Sequence, residues 1–244
     1  MSLITLLDAS LAFGHVALLD HASFSLEEHE RVGLIGRNGT GKSSLLKILS
    51  ELERPDDGTL HIQQGLRVAY VPQEPILNPE HSLFEAVRVG LGPVLQLIDD
   101  YTHSRGDLHA LQSQIEALDG WTWEQRVSET LHRLHLDPKA RIGTLSGGNR
   151  KRVALAQALV THPDVLLLDE PSEGLAPIMV QKIGDLIQSL RKMGKTIVLA
   201  EQNLHFCLGL ADRAVVIDKG KDVFCGTISE LNANAEIKQR YLSV

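Results

Sequence analysis

Gly36-Arg37-Asn38-Gly39-Thr40-Gly41-Lys42-Ser43 is the stretch that decides the fold. It has the spacing G-x-x-x-x-G-K-[ST], a pattern that counts only when a strand runs into it and a helix leaves it. Both flanks qualify. Arg31-Val32-Gly33-Leu34-Ile35 is apolar enough for a buried strand, and Ser43-Ser44-Leu45-Leu46-Lys47-Ile48-Leu49 continues with helical spacing. The glycines let successive backbone N–H groups curl inward around an anion, and the helix start adds about half a positive charge. Lys42 is expected to reach the β- and γ-phosphates of a nucleotide, and the Ser43 hydroxyl to ligate Mg²⁺. The segment predicts a nucleoside triphosphate site.

Val165-Leu166-Leu167-Leu168-Asp169-Glu170 is a short apolar run that ends in two carboxylates. Asp169, at the end of such a strand, can serve the Mg²⁺ opposite Ser43. Glu170 then stands where a water attacking a γ-phosphate needs a hydrogen-bond acceptor. An acidic pair after a core strand is common by itself. Here the phosphate loop supplies the metal that these carboxylates would serve.

A third segment, Leu145-Ser146-Gly147-Gly148-Asn149, opens a helical pattern over residues 150–160. Phosphate loop, LSGG segment and acidic strand, in that order, resemble the ATP-binding-cassette (ABC) ATPase family over the whole chain. The commonest family form of the signature ends in Gln where Asn149 stands. The resemblance implies an α/β fold, a P-loop core with an antiparallel β lobe and a helical lobe carrying the signature. It also implies one nucleotide-binding domain over 1–244: β lobe and core in 1–75, helical lobe in about 76–155, core again in 156–244.

Further positions follow from the same resemblance. Phe13 matches the aromatic on which the family stacks adenine, so the nucleotide contacts are expected at Phe13, Gly36, Asn38, Gly39, Gly41, Lys42, Ser43 and Ser44. Gln73, in Tyr70-Val71-Pro72-Gln73, matches the loop glutamine that senses Mg²⁺ and the attacking water, giving a metal set of Ser43, Gln73 and Asp169. Two positions depart from the common pattern. Ala176 stands where many members have an Asp, and Gln202 stands where most have a histidine. The catalytic group is thus Glu170, Gln73 and Gln202. His205 does not align with that histidine, and His132 and His135 read as surface residues of helices.

Composition sets the outer bounds. The chain has 244 residues, 43% hydrophobic content and a formal net charge of −7. That length suffices for a large core. Cys207 and Cys225 are its two cysteines, which read as reduced, partly buried thiols. No signal-peptide pattern is visible at the start, and no apolar run approaches the ~18 residues of a membrane span. The expected location is cytoplasmic, at the inner face of a membrane if a permease partner holds the chain there.

Short strands are expected at residues 4–7, 22–26, 31–35, 59–62 and 66–71, the last two separated by Gln63-Gln64-Gly65. The pattern is helical over about 82–136. From residue 165 strands and helices alternate: strand 165–168, helix 177–193, strands 196–200 and 214–217, and a hairpin-like Lys219-Gly220-Lys221. Such alternation predicts a parallel sheet with crossover connections. Trp121 and Trp123 read as packing of the helical segment.

In this family one chain's phosphate loop and acidic strand hold MgATP, and the partner's Ser146, Gly147, Gly148 and Asn149 close on the γ-phosphate. The resemblance therefore implies a second cassette as partner, with ATP and Mg²⁺ as ligands. Two branches are recognisable. Residues 1 to about 165 resemble the ABC-F branch, the translation-associated cassettes, through Val32–Gly39, Trp121–Val127 and Leu145–Arg152. From about 165 onward, Asp169–Pro177, Ala200-Glu201-Gln202-Asn203 and the ending Tyr241-Leu242-Ser243-Val244 resemble the ATPase subunits of branched-chain amino-acid and urea importers. The two resemblances meet within or near residues 165–171. A composite chain joined there accounts for this, and so does a natural importer ATPase with an unusual front half.

Charge weighs between the branches. Residues 76–130 hold nine acidic side chains against three Lys or Arg, whereas a segment reaching into ribosomal RNA should be basic. Residues 131–152 are basic, with Arg133, Lys139, Arg141, Arg150, Lys151 and Arg152 against Asp137, and read as a solvated helical face. Transmembrane permease subunits are the leading partner expectation, the ribosome the second, and an engineered or chimeric cassette that binds ATP without a transport partner is the third reading. Direct DNA binding is not expected.

Overall fold

The computed structural model describes residues 2–242; Met1, Ser243 and Val244, and with them part of the importer-like ending, lie outside the described residues. Two compact units emerge. One is built from residues 1–74 and 163–244, the other from 75–162.

Among its described residues the first unit contains nine strands in two sheets. An antiparallel sheet of order β2-β1-β4 is made by β1 (Ser2–Phe13), β2 (Val16–Glu27) and β4 (Asp57–Ile62). A six-stranded sheet has the order β5-β6-β7-β3-β8-β9, from β3 (Arg31–Ile35), β5 (Val68–Val71), β6 (Val165–Asp169), β7 (Thr196–Glu201), β8 (Arg213–Asp218) and β9 (Lys221–Thr227). Its first five strands are parallel, and β9 turns back antiparallel against β8. β6 and β7 are buried at every residue, which is why they read as unbroken apolar runs rather than as alternation. Helix α1 (Lys42–Leu49) buries Leu45, Leu46, Ile48 and Leu49 in a core shared with Leu3, Ile4 and Leu6 of β1, Leu34 of β3 and Leu167 of β6. Each such side chain contributes about 1.5–3 kcal/mol by leaving water.

The second unit is helical: α2 (Leu83–Arg88), α3 (Gly92–Thr102), α4 (Leu108–Ala117), α5 (Trp123–Arg133) and α6 (Gly147–Leu159). Ser82 and Glu85 form a reciprocal capping box at α2, and Asp107 caps α4. The chain returns to the first unit for α7 (Pro177–Lys192), α8 (Leu204–Leu208), α9 (Ile228–Ala233) and α10 (Ala235–Ile237). Among the described residues no helix is long and apolar enough to cross a membrane.

Several sequence expectations need correction. β1 and β2 are twelve residues each, well beyond 4–7 and 22–26. Their pairing shifts register repeatedly, so the alternation that marks a strand is interrupted. The strand expected at 66–71 begins at Val68. The hairpin-like Lys219-Gly220-Lys221 does turn β8 back into β9, whereas helices α8, α9 and α10 have no counterpart in the sequence expectations, because all three are short. Trp121 is 48% exposed, with its ring edge-on to Tyr101 at 5.4 Å, so it is not a core residue. Trp123 sits partly buried between Phe84 and the Arg88 guanidinium.

Candidate active site

Parallel strands send their C-terminal ends to one edge of a sheet, and in open α/β sheets ligands bind at that edge. Here β3 delivers the phosphate loop, β6 delivers Asp169 and Glu170, β7 delivers Glu201 and Gln202, and β5 leads to Gln73. All of these belong to the first unit.

The loop has room for glycine alone at two points. A Cβ on Gly36 would lie 2.4 Å from the Ile217 carbonyl oxygen, and one on Gly41, at φ +103°, would lie 2.0 Å from that of Leu18. Gly41 offers α1 no side-chain cap, so the first-turn N–H groups stay available to an anion. Asn38 and Gly39 are exposed, and Ser43 and Ser44 half-buried.

Lys42 is buried, and its Nζ donates to the carbonyl oxygens of Gly36 and Arg37, both at 3.0 Å. The same ammonium lies 2.8 Å from Glu170 Oε1. Ser43 Oγ donates to Asp169 Oδ1 at 3.0 Å, and the Tyr70 hydroxyl to Asp169 Oδ2 at 2.9 Å. Burial pushes the Asp169 carboxyl up from its ordinary range; the Tyr70 and Ser43 hydroxyls pull it back down, and neighbouring Glu170 adds to the rise. Burial, then the Asp169 charge, push the Tyr70 hydroxyl up as well, so it remains a donor. Ser43 Oγ and Asp169 Oδ1, 3.0 Å apart, are spaced as two adjacent oxygens on an octahedral ion with ~2.0–2.1 Å bonds, the arrangement Mg²⁺ demands. The donor set fits that metal.

Glu170 is buried and adopts a left-handed backbone, φ +44°, which costs free energy in a non-glycine residue and needs support from its surroundings. Its N–H donates to Ala200 O at 2.9 Å. Two residues on, Ser172 N–H donates to Glu201 Oε1 at 2.9 Å. Gln73 is half-buried, and its amide donates to the Glu173 carboxylate. Gln202 is exposed just past β7, and Ala176 is exposed at the start of α7. Phe13 is 82% exposed at the tip of the β1–β2 hairpin, open for a ring to stack upon.

The structure thus brings Gly36, Lys42, Ser43, Asp169 and Glu170 into one cluster, while Gln73 turns to Glu173. Tyr70, bonded to Asp169, and Glu201, bonded to the turn after Glu170, escaped sequence reasoning, as did Glu173 as the partner of Gln73. The signal for Glu201 was visible: a carboxylate closing an apolar run, as Asp169 closes β6.

In the second unit Ser146 caps α6, its Oγ accepting the Asn149 N–H at 3.5 Å. The Asn149 side-chain oxygen accepts from Arg152 Nη1 at 3.1 Å, and Arg152 also donates to Leu134 O. Gly147 has open space where a Cβ would be, so a bound group can approach the helix start closely.

Comparison with known proteins gives concordant results. Residues 19–173 match the family model described as ABC transporter. The ATP-binding protein Uup of Haemophilus influenzae is 36% identical over 233 residues; the alignment covers 91% of this chain, which spans only 36% of that relative's length. The high-affinity branched-chain amino acid transport ATP-binding protein BraG of Pseudomonas aeruginosa is 34% identical over 96% of both chains. Coverages of 91% and 96% give likeness to both branches along most of the chain, and nothing in them marks a join at residues 165–171. A nucleotide-free ATP-binding cassette from an ABC transporter superposes with a TM-score of 0.79 over 100% of this chain, at 21% identity. A family match over more than half of the chain and a relative aligned almost end to end lead to one conclusion: this chain belongs to the ABC transporter ATPase family.

Proposed function

We propose that this chain is the energising subunit of an ABC transporter of the amino-acid importer kind, hydrolysing MgATP as one of two paired cassettes. The observation that carries the reading is the clustering of Lys42, Ser43, Asp169 and Glu170 at one sheet edge, in a chain aligned over 96% of its length with an importer ATPase. The whole of 1–244 then acts as a single nucleotide-binding domain.

The roles follow from the family resemblance and, for Lys42, Ser43, Asp169 and Glu170, from geometry and charge as well. Phe13 stacks on the adenine ring. The N–H groups from Gly36 to Ser44, with Asn38, Gly39 and Gly41, wrap the phosphates, and Lys42 exchanges Glu170 for the β- and γ-oxygens. Mg²⁺, held by Ser43, Asp169 and Gln73, neutralises phosphate charge when bound. Glu170, released from Lys42, orients a water for in-line attack on the γ-phosphorus and accepts its proton. Gln202 donates its amide to a γ-oxygen. The partner's Ser146, Gly147, Gly148 and Asn149 supply a helix start and a hydroxyl to the same phosphate. Such a group can take the part of an arginine finger, which is worth about 10³–10⁵ in rate.

The test is steady-state hydrolysis against protein concentration, with Glu170→Gln alongside. Specific activity rising with concentration and lost in the variant supports paired cassettes; a concentration-independent rate argues against them. A second reading, a translation-associated ABC-F ATPase, is favoured by the 36% identity to Uup. Co-sedimentation with ribosomes that depends on ATP would support it, and pull-down with a permease would support the importer reading.

A further inference from the structure

Beyond the expected catalytic group, one buried carboxylate has no assigned part. Glu201 is 1% exposed at the C-terminal end of β7, between the acidic turn and Gln202. Its Oε1 accepts the Ser172 N–H at 2.9 Å. Burial pushes its carboxyl up, and the polar groups of Ser172 and Asn203 nearby pull it back. Ser172 is itself buried, at 8% exposure. One side chain therefore ties the segment after Glu170 to the end of β7, next to Gln202.

A buried carboxylate is unfavourable unless it is well bonded, so apolar packing alone does not explain a glutamate here. Its bonds go to the turn that must hold Glu170 in a strained, left-handed state. That turn has two supports from β7: Ala200 O, which accepts the Glu170 N–H at 2.9 Å, and the Glu201 carboxylate on Ser172. Fixing Ser172 fixes the direction in which the Glu170 side chain leaves the backbone. Glu201 closes β7 immediately before Gln202, so holding its side chain also holds the strand end from which Gln202 leaves.

We propose that Glu201 is a positioning residue for hydrolysis, coupling the turn that aims Glu170 to the segment that carries Gln202. The inference rests on the proposed roles of Glu170 and Gln202. It places Glu201 outside contact with nucleotide, so its effect falls on kcat rather than on ATP binding.

The experiment compares wild type, Glu201→Ala, Glu201→Gln and Glu170→Gln for kcat, KM and equilibrium ATP affinity, well below each variant's Tm. Glu201→Ala should lower kcat at least tenfold, a loss of about 1.4 kcal/mol in transition-state stabilisation, while ATP affinity stays within about twofold, ~0.4 kcal/mol. Glu201→Gln keeps one acceptor for Ser172 and should restore most of the rate. Wild-type kcat in Glu201→Ala would overturn the proposal. So would kcat and ATP affinity falling together in both Glu201 variants, the mark of a merely structural role. Glu201→Asp keeps the charge but draws the acceptor back from the Ser172 N–H; it should lower kcat by a smaller factor, and an unchanged kcat in it overturns the proposal if Glu201→Ala does not fold. Undiminished turnover in Glu170→Gln would instead overturn the underlying reading of the site.

Discussion

Lys42 Nζ lies 2.8 Å from Glu170 Oε1, with 3% and 5% of the two side chains exposed. The residue expected to hold phosphate is thus held by the residue expected to orient water. Removing one member of a buried pair leaves the other charge uncompensated, at about 3–5 kcal/mol. Lys42→Met should therefore lower Tm by roughly 6–20 °C, at ~2–4 °C per kcal/mol for a chain of this size. Adding Glu170→Gln should recover at least half of the loss. Strict additivity in the double-mutant cycle would show that the pair is not coupled.

Glu170→Gln alone should reduce kcat by about 10²–10⁴, the usual worth of a positioned general base. It should also tighten ATP binding, because the carboxylate no longer competes with phosphate for Lys42. Equilibrium titration with a fluorescent ATP analogue measures this, and weaker binding would show that Glu170 does not compete.

Phe13 is 82% exposed, so Phe13→Ala removes a stacking surface without opening a cavity. ATP affinity should fall about fivefold, from the ~1 kcal/mol of an aromatic stack. Stability should stay within ~0.5 kcal/mol, as for other surface substitutions. A large Tm loss with unchanged affinity would make Phe13 a packing residue instead.

Burial raises the Glu201 carboxyl above its ordinary 4.5. Between that value and the raised one, the folded chain binds more protons than the unfolded chain, so this group's contribution to stability falls as pH rises. Glutamine does not titrate. The Tm of Glu201→Gln minus that of wild type should therefore become more positive as pH rises above 4.5, until the folded carboxyl has ionised. A flat difference would mean that Glu201 titrates alike in both states.

The phosphate loop, β3, β6 and β7 were legible in the sequence because each combines a buried apolar run with punctuation at its end. Glycine, lysine or carboxylate marks where the strand stops and chemistry begins. β1 and β2 were legible only in part. Positive φ at Asp8 and His21 and repeated register shifts break the period of two on which a strand reading depends. Glu201 and Tyr70 could be seen but not interpreted: their partners Ser172 and Asp169 are 29 and 99 residues away, and no local pattern joins them. Trp121 misled because a large aromatic residue is usually buried, whereas here Tyr101 covers only part of it.

Asp169 has both oxygens engaged, one by Ser43 and one by Tyr70. The Tyr70 ring packs against the core and is not free to swing away. What is free is the hydroxyl hydrogen, which turns about a single C–O bond. Loading an ion at the proposed metal site thus requires two O–H bonds to reorient and no strand or helix to move. Motions of that size belong to the ps–ns range. Ser43 and Asp169 are preset for an ion, while the Gln73 amide must first leave the Glu173 carboxylate to join them.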